Sequence, residues 1–103
     1  MKEDNTYRIN MVENHIRTLN VIDDNVLNTL KTVPRKNFVP EAYKSFSHVD
    51  IRIPLGHGQS MLLPSVEAKL LQAINIKKDE DVLVVGSGSG YLSTCASMFA
   101  NRV

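Results

Sequence analysis

Val82-Leu83-Val84-Val85-Gly86-Ser87-Gly88-Ser89-Gly90-Tyr91 is the stretch on which the reading of this chain turns. Val82 to Val85 is the longest purely apolar run in the sequence, four residues and mostly β-branched. Such a run predicts a strand buried on both faces of a parallel sheet. Three glycines in five positions follow it. After them Leu92, Cys95, Ala96 and Phe99 recur at the spacing of one helical face. Strand, glycine loop and helix in that order predict an α/β chain.

A strand of that kind needs neighbours, and a βαβ unit takes about 30 residues or more. Only one such strand and its following helix can be read before Asn101-Arg102-Val103, a turn and the first residue of a second strand. The sheet is therefore expected to be incomplete here. Either the chain is a fragment or truncated product, or another copy completes it. An unpaired strand at Val82–Val85 predicts self-association.

Upstream the pattern is helical. Asp4, Asn5 or Thr6 is expected to cap a first helix carrying Ile9, Val12 and Ile16 on its apolar side. Asp23 is expected to cap a second, with the stripe Val26, Leu27, Leu30 and Val33, ended by Pro34. Phe38 to Pro40 reads as extended and Glu41 to Phe46 as a short helical turn. Val49 to Leu55 alternates apolar and polar residues, which predicts a half-buried strand with Asp50 and Arg52 facing solvent. Gly56-His57-Gly58 is a loop. Pro64 then opens a helix carrying Val66, Leu70 and Ile74 on one apolar face, with Leu71 and Ala73 beside them. Lys77 to Asp81 is a charged, solvated turn.

The totals describe one small domain of ordinary composition, 103 residues with 43% hydrophobic and 22% charged residues. A net charge of +1 with scattered basic residues argues against nucleic acid as a partner. One cysteine, Cys95, excludes an internal disulfide, and no zinc-type cluster is present. The N-terminus is too polar for a signal peptide, and four apolar residues fall far short of the ~20 that span a bilayer. A cytoplasmic protein without membrane contact is expected.

The glycine loop decides the chemistry. It is G-x-G-x-G, so its third glycine comes one residue early for the dinucleotide pattern, and no lysine follows as a phosphate loop requires. A shorter loop suits S-adenosylmethionine, whose amino-acid end carries a carboxylate rather than a pyrophosphate. The helix near Tyr91 would offer free N–H groups to that ligand. The alternative is a tight strand-to-helix turn with no ligand.

Four blocks in order and spacing resemble the protein-L-isoaspartate O-methyltransferase family, in a divergent bacterial form. They are Asn10 to Arg17, Val33 to Tyr43, Pro54 to Gln59 and the glycine loop. The resemblance runs from about Tyr7 to Val103 and covers the N-terminal half of a typical member. It implies an α/β chain: N-terminal helices plus the first strand, loop and helix of a class I S-adenosylmethionine-dependent methyltransferase, Rossmann-like and incomplete. Residues 1–78 would form the helical cap region with a short strand and the helix before the sheet. Residues 79–103 would begin the Rossmann-like domain. The activity implied is protein repair, the methylation of a carboxylate in a damaged protein or peptide bearing an isoaspartyl residue.

By the same resemblance Gln59, Gly86, Ser87, Gly88, Ser89, Gly90 and Tyr91 are the candidate cofactor-binding residues, for S-adenosylmethionine. Ser60, where the segment before the Pro64 helix closes over cofactor and substrate, is a candidate catalytic residue, and so is His57 as a general base between two glycines. No metal is implied. Two positions depart from the family pattern. Leu62 stands where the family carries a serine linked to activity, and Val84 where its strand commonly carries a glutamate. These leave a second reading open, a non-catalytic truncated remnant or interaction module. Cys95, on the apolar side of its helix, reads as a small buried residue.

Overall fold

A computed structural model describes residues 2–86 and 88–103. Helix α1 (Lys2–Met11) runs without a break through a π-helical turn (Val12–Ile16) and a 3₁₀ turn (Arg17–Leu19). Asn20 stops it in the left-handed region at φ 69°. Asp4, Asn5 and Thr6 lie inside α1, so none is its cap. The buried line is Arg8, Met11, Val12 and Ile16, while Ile9 is exposed. Arg8 takes the inward place because its Nε donates to the Lys31 carbonyl at 2.6 Å, an acceptor at the open end of the next helix.

That helix, α2 (Asp24–Thr32), follows local rules. The Asp23 carboxylate accepts the backbone N–H groups of Asn25 at 2.9 Å and Val26 at 3.3 Å. Val33 is extended, as a residue before proline should be. Val26, Leu27, Leu30 and Val33 are all buried. Short 3₁₀ turns follow at Arg35–Phe38 and Glu41–Phe46.

The strand expected over Val49–Leu55 is mostly absent. Val49 and Ile51 are exposed, and the strand β1 begins only at Pro54 (Pro54–Gly56). Asp50 explains this. Its carboxylate accepts the Ser65 N–H at 3.0 Å and the Ser65 hydroxyl at 2.9 Å, and His15 Nε2 lies 3.4 Å away. The backbone bends at this point to deliver Asp50 to the start of helix α3, so Asp50 does not simply face water. β1 pairs antiparallel with β2 (Gln59–Ser60) across the His57-Gly58 turn, with an irregularity between Pro54 and Gly56.

Helix α3 (Pro64–Ile74) opens on proline as expected but is rotated. Val66, Leu70 and Ile74 face outward, and Pro64, Ser65, Glu67, Ala68 and Leu71 face in. Partners elsewhere impose this. Besides Asp50 for Ser65 and Arg35 for Glu67, the Gln72 side chain clasps the α1–α2 link. Its Oε1 accepts the N–H groups of Ile22 at 2.8 Å and Asp23 at 2.9 Å, and its Nε2 donates to the Asn20 carbonyl at 3.0 Å.

Val82 to Val85 does not form the expected buried strand. Asp81 makes one parallel bridge to Arg102, Val82 N–H donates to the Arg102 carbonyl at 2.8 Å, and pairing stops there. Leu83 and Val85 are 86% and 87% exposed. A strand is held by its neighbours, and among the described residues only the 101–102 segment meets it. Helix α4 (Tyr91–Ser97) then packs Tyr91, Cys95 and Ala96 into the same core as Val12, Leu27 and Ile53. The described fold is thus mixed, helices with a small antiparallel sheet.

Candidate functional site

The glycine loop and the segment after the hairpin close on one cavity of about 70 Å³. Val84, Gly86, Gly88 and Ser89 line it from the loop side, and Ser60, Met61 and Leu62 from the other. Glu67 of α3 and Leu92 of α4 complete the wall. Gly88 shows why the loop is glycine-rich. It sits at φ +58°, and a Cβ there would meet Leu55 Cδ1 at 3.4 Å. Gly90, at φ +86°, turns the chain into α4.

Of the nine residues expected at the site, Ser60, Gly86, Gly88 and Ser89 line this cavity. Ser87 lies outside the described residues. Gln59 is exposed on β2, and Gly90 stands at the start of α4. His57 is exposed at the hairpin tip with φ 53°, with no hydrogen bond or ion pair among the described residues. The Tyr91 ring is turned into the core, edge-on to Phe38 at 5.7 Å. The Tyr91 backbone N–H points to the Ser89 hydroxyl at 3.4 Å rather than standing free.

Sequence reading did not find the polar cluster under the cavity. Glu67 is 3% exposed and Arg35 fully buried, and the two are ion-paired through Arg35 Nη1 and Glu67 Oε1. Arg35 Nη2 donates to the Leu62 carbonyl at 3.1 Å, and its guanidinium carbon lies 4.7 Å from the centre of the Tyr91 ring. Burial raises the Glu67 carboxyl above its ordinary value, with Arg35 opposing. Burial also holds the Tyr91 hydroxyl well above its usual range and pushes the Cys95 thiol up to about 12. Cys95 is therefore a neutral thiol and no nucleophile at neutral pH. Arg35 Nε and the Tyr91 hydroxyl, the latter beside the Cys95 thiol, make no well-formed hydrogen bond among the described residues. One signal was available: Pro64, Glu67, Ala68 and Leu71 share a helical face, so a lone charge there demands a buried partner.

The two departures from the family pattern both face the cavity. Leu62 and Val84 line it with apolar side chains. Among the described residues, no group of three His, Cys, Asp or Glu could hold a metal ion. None of the described helices is long and apolar enough to cross a membrane.

The chain is similar to curated bacterial and archaeal proteins. It is 39% identical over 98 residues to Protein-L-isoaspartate O-methyltransferase 2 of Anaeromyxobacter, covering 95% of this chain and 40% of that protein. It is 35% identical over 96 residues to Protein-L-isoaspartate O-methyltransferase of Opitutus terrae, covering 93% and 41%. Against the Aeropyrum pernix protein of the same name it is 41% identical over 86 residues, covering 84% and 33%. The chain thus spans about two fifths or less of the length of these relatives. The model of the Protein-L-isoaspartate(D-aspartate) O-methyltransferase family matches residues 6–103, and the chain belongs to that family.

Proposed function

We propose that this chain forms the donor-binding side of an S-adenosylmethionine-dependent O-methyltransferase of Rossmann-like fold, acting in the cytoplasm. Its acceptor is the free carboxylate of an isoaspartyl residue in a damaged protein or peptide. The observation that carries this reading is the cavity. The glycine loop and the post-hairpin segment line one space, with a buried carboxylate in its wall. The parallel Asp81–Arg102 bridge, with α4 between its partners, supports the fold. The exposed apolar residues Leu83 and Val85, next to that bridge in sequence, support a parallel sheet at this strand.

When bound, the donor supplies a methyl group activated on a sulfonium centre. The chain's own residues supply position. Gly88 holds the loop at a positive φ, Ser60 and Ser89 bring hydroxyls to the cavity, and Met61, Leu62, Val84 and Leu92 give it apolar walls. Alignment alone lowers the barrier of a well-oriented transfer by about 7–11 kcal/mol, so no charged catalytic pair is required. A cavity of about 70 Å³ takes one end of such a donor, since sites that enclose a whole ligand of that size run to several hundred Å³.

The test is a nitrogen-15 NMR titration of the chain with S-adenosylmethionine to millimolar concentration. Shifts are expected at the Ser60, Gly86, Gly88 and Ser89 amides, and silence at all four overturns the reading. Labelled methyl transfer to an isoaspartyl peptide, with the ordinary aspartyl peptide as control, tests the acceptor. Donor binding without transfer would favour the second reading, a non-catalytic module, which the apolar Leu62 and Val84 motivate. The exposed Leu83 and Val85 also support self-association. Light scattering from a stable monomer would count against that.

A further inference from the structure

The cavity beneath the glycine loop has a single charged wall. Its other lining side chains are hydroxyls and apolar groups, and Glu67 is the one ionisable residue among them. Glu67 is 97% withdrawn from solvent by its 3% exposure, yet it borders this space. The Arg35 pairing uses Oε1. Among the described residues the other carboxylate oxygen, Oε2, has no hydrogen-bond partner.

Arg35 does not neutralise this wall from the cavity side. It is not part of the lining, and it is anchored behind by the Leu62 carbonyl and the Tyr91 ring. Glu67 borders the cavity, and the Arg35 guanidinium paired with it lies against the Tyr91 ring. A buried carboxylate with an unused oxygen, on a residue that borders a small cavity, is suited to receive a charged N–H donor. A sulfonium carries charge but no hydrogen to donate, so an ammonium group meets the requirement better.

We propose that Glu67 determines specificity in the donor site by receiving the α-ammonium group of the ligand's amino-acid end, with Arg35 as its positioning residue. This rests on the reading of the cavity as the donor site. Val84 borders the same cavity, so a carboxylate introduced there would face the same space.

The test compares two ligands by NMR titration of the full chain: S-adenosylhomocysteine, and its analogue with hydrogen in place of the α-ammonium group. Glu67→Gln is expected to weaken the first about tenfold, the loss of one charge-assisted hydrogen bond, and to leave the second within about twofold. Adding Val84→Glu to Glu67→Gln should restore most of the loss, which a merely structural Glu67 would not allow. Equal weakening of both ligands, or of neither, overturns the inference while leaving the donor site standing. Wild-type chain that responds to neither ligand overturns the donor site and this inference together. If Glu67→Gln does not fold, the paired replacement Arg35→Met with Glu67→Leu removes both charges and avoids an unpaired buried ion. That variant should bind the two ligands equally, and a retained preference for the ammonium form overturns the proposal.

Discussion

The helical layer from α1 to α3 and the segment from Asp81 to Val103 are built by opposite means. In the first, buried apolar residues are fastened by specific long-range bonds: Arg8 to Lys31, Asp50 to Ser65, Gln72 to the α1–α2 link. In the second, α4 docks its inner face while the apolar run before it, at Leu83 and Val85, faces water. The contrast teaches that sequence hydrophobicity marks what a segment is prepared to contact, whereas burial needs a partner beside it. The layer has its partners among the described residues and the run does not.

The comparison is broken most directly at Arg35. Arg35→Ala leaves Glu67 buried and unpaired, and should cost about 3–5 kcal/mol in urea unfolding. The Arg35→Met, Glu67→Leu pair should cost far less, and equal losses would show that the charge pair is not what matters. Next, Leu27→Ala in the layer should cost about 2–5 kcal/mol. Leu83→Ala in the exposed run should stay within about 0.5 kcal/mol, measured the same way. A large loss at Leu83 would mean that the run is covered in solution. Smaller again, Asp23→Ala removes the α2 cap and should cost about 1 kcal/mol.

Acid sharpens the same contrast with the smallest expected effect. Burial opposes the charge on Asp50, but the Ser65 N–H and hydroxyl outweigh it and hold the carboxyl below its ordinary value. Hydrogen bonds from Arg17 and Lys31 lower Glu13 from 4.5 to about 2. A carboxyl lowered in the folded state contributes stability above its ordinary value and loses it as pH falls through the folded one. The urea midpoint should therefore drop between pH 4.5 and about 2. Asp50→Asn should lessen the part of that fall that lies below the ordinary Asp50 value of 3.8, and an unchanged profile would show that Asp50 does not hold α3.

What could be read from the sequence was what is decided locally. The α2 cap and its stripe need only residues within a few positions, and they form as spacing predicts. The glycine loop was legible because its glycines stand where φ is positive. The inward side of α3 was not, because it is chosen by Asp50 and Arg35, 15 and 32 residues away in sequence. Ile9 lost the inner face of α1 to Arg8 for the same reason, a carbonyl 23 residues distant. At the site, four of the expected residues line the cavity, but Glu67 was not among those expected. The Val82–Val85 segment was legible as an apolar run and not as an exposed one, since exposure depends on what stands beside it.

The Gln72 clasp also turns a loop into a reporter. Ile22 and Asp23 lie between helices, where amide hydrogens normally trade with solvent deuterium quickly. Their N–H groups are instead tied to a side chain some 50 residues further on. Their deuterium uptake should therefore follow the opening of α3 from the layer, not the fraying of the loop they occupy. Two loop amides would then time the undocking of a distant helix.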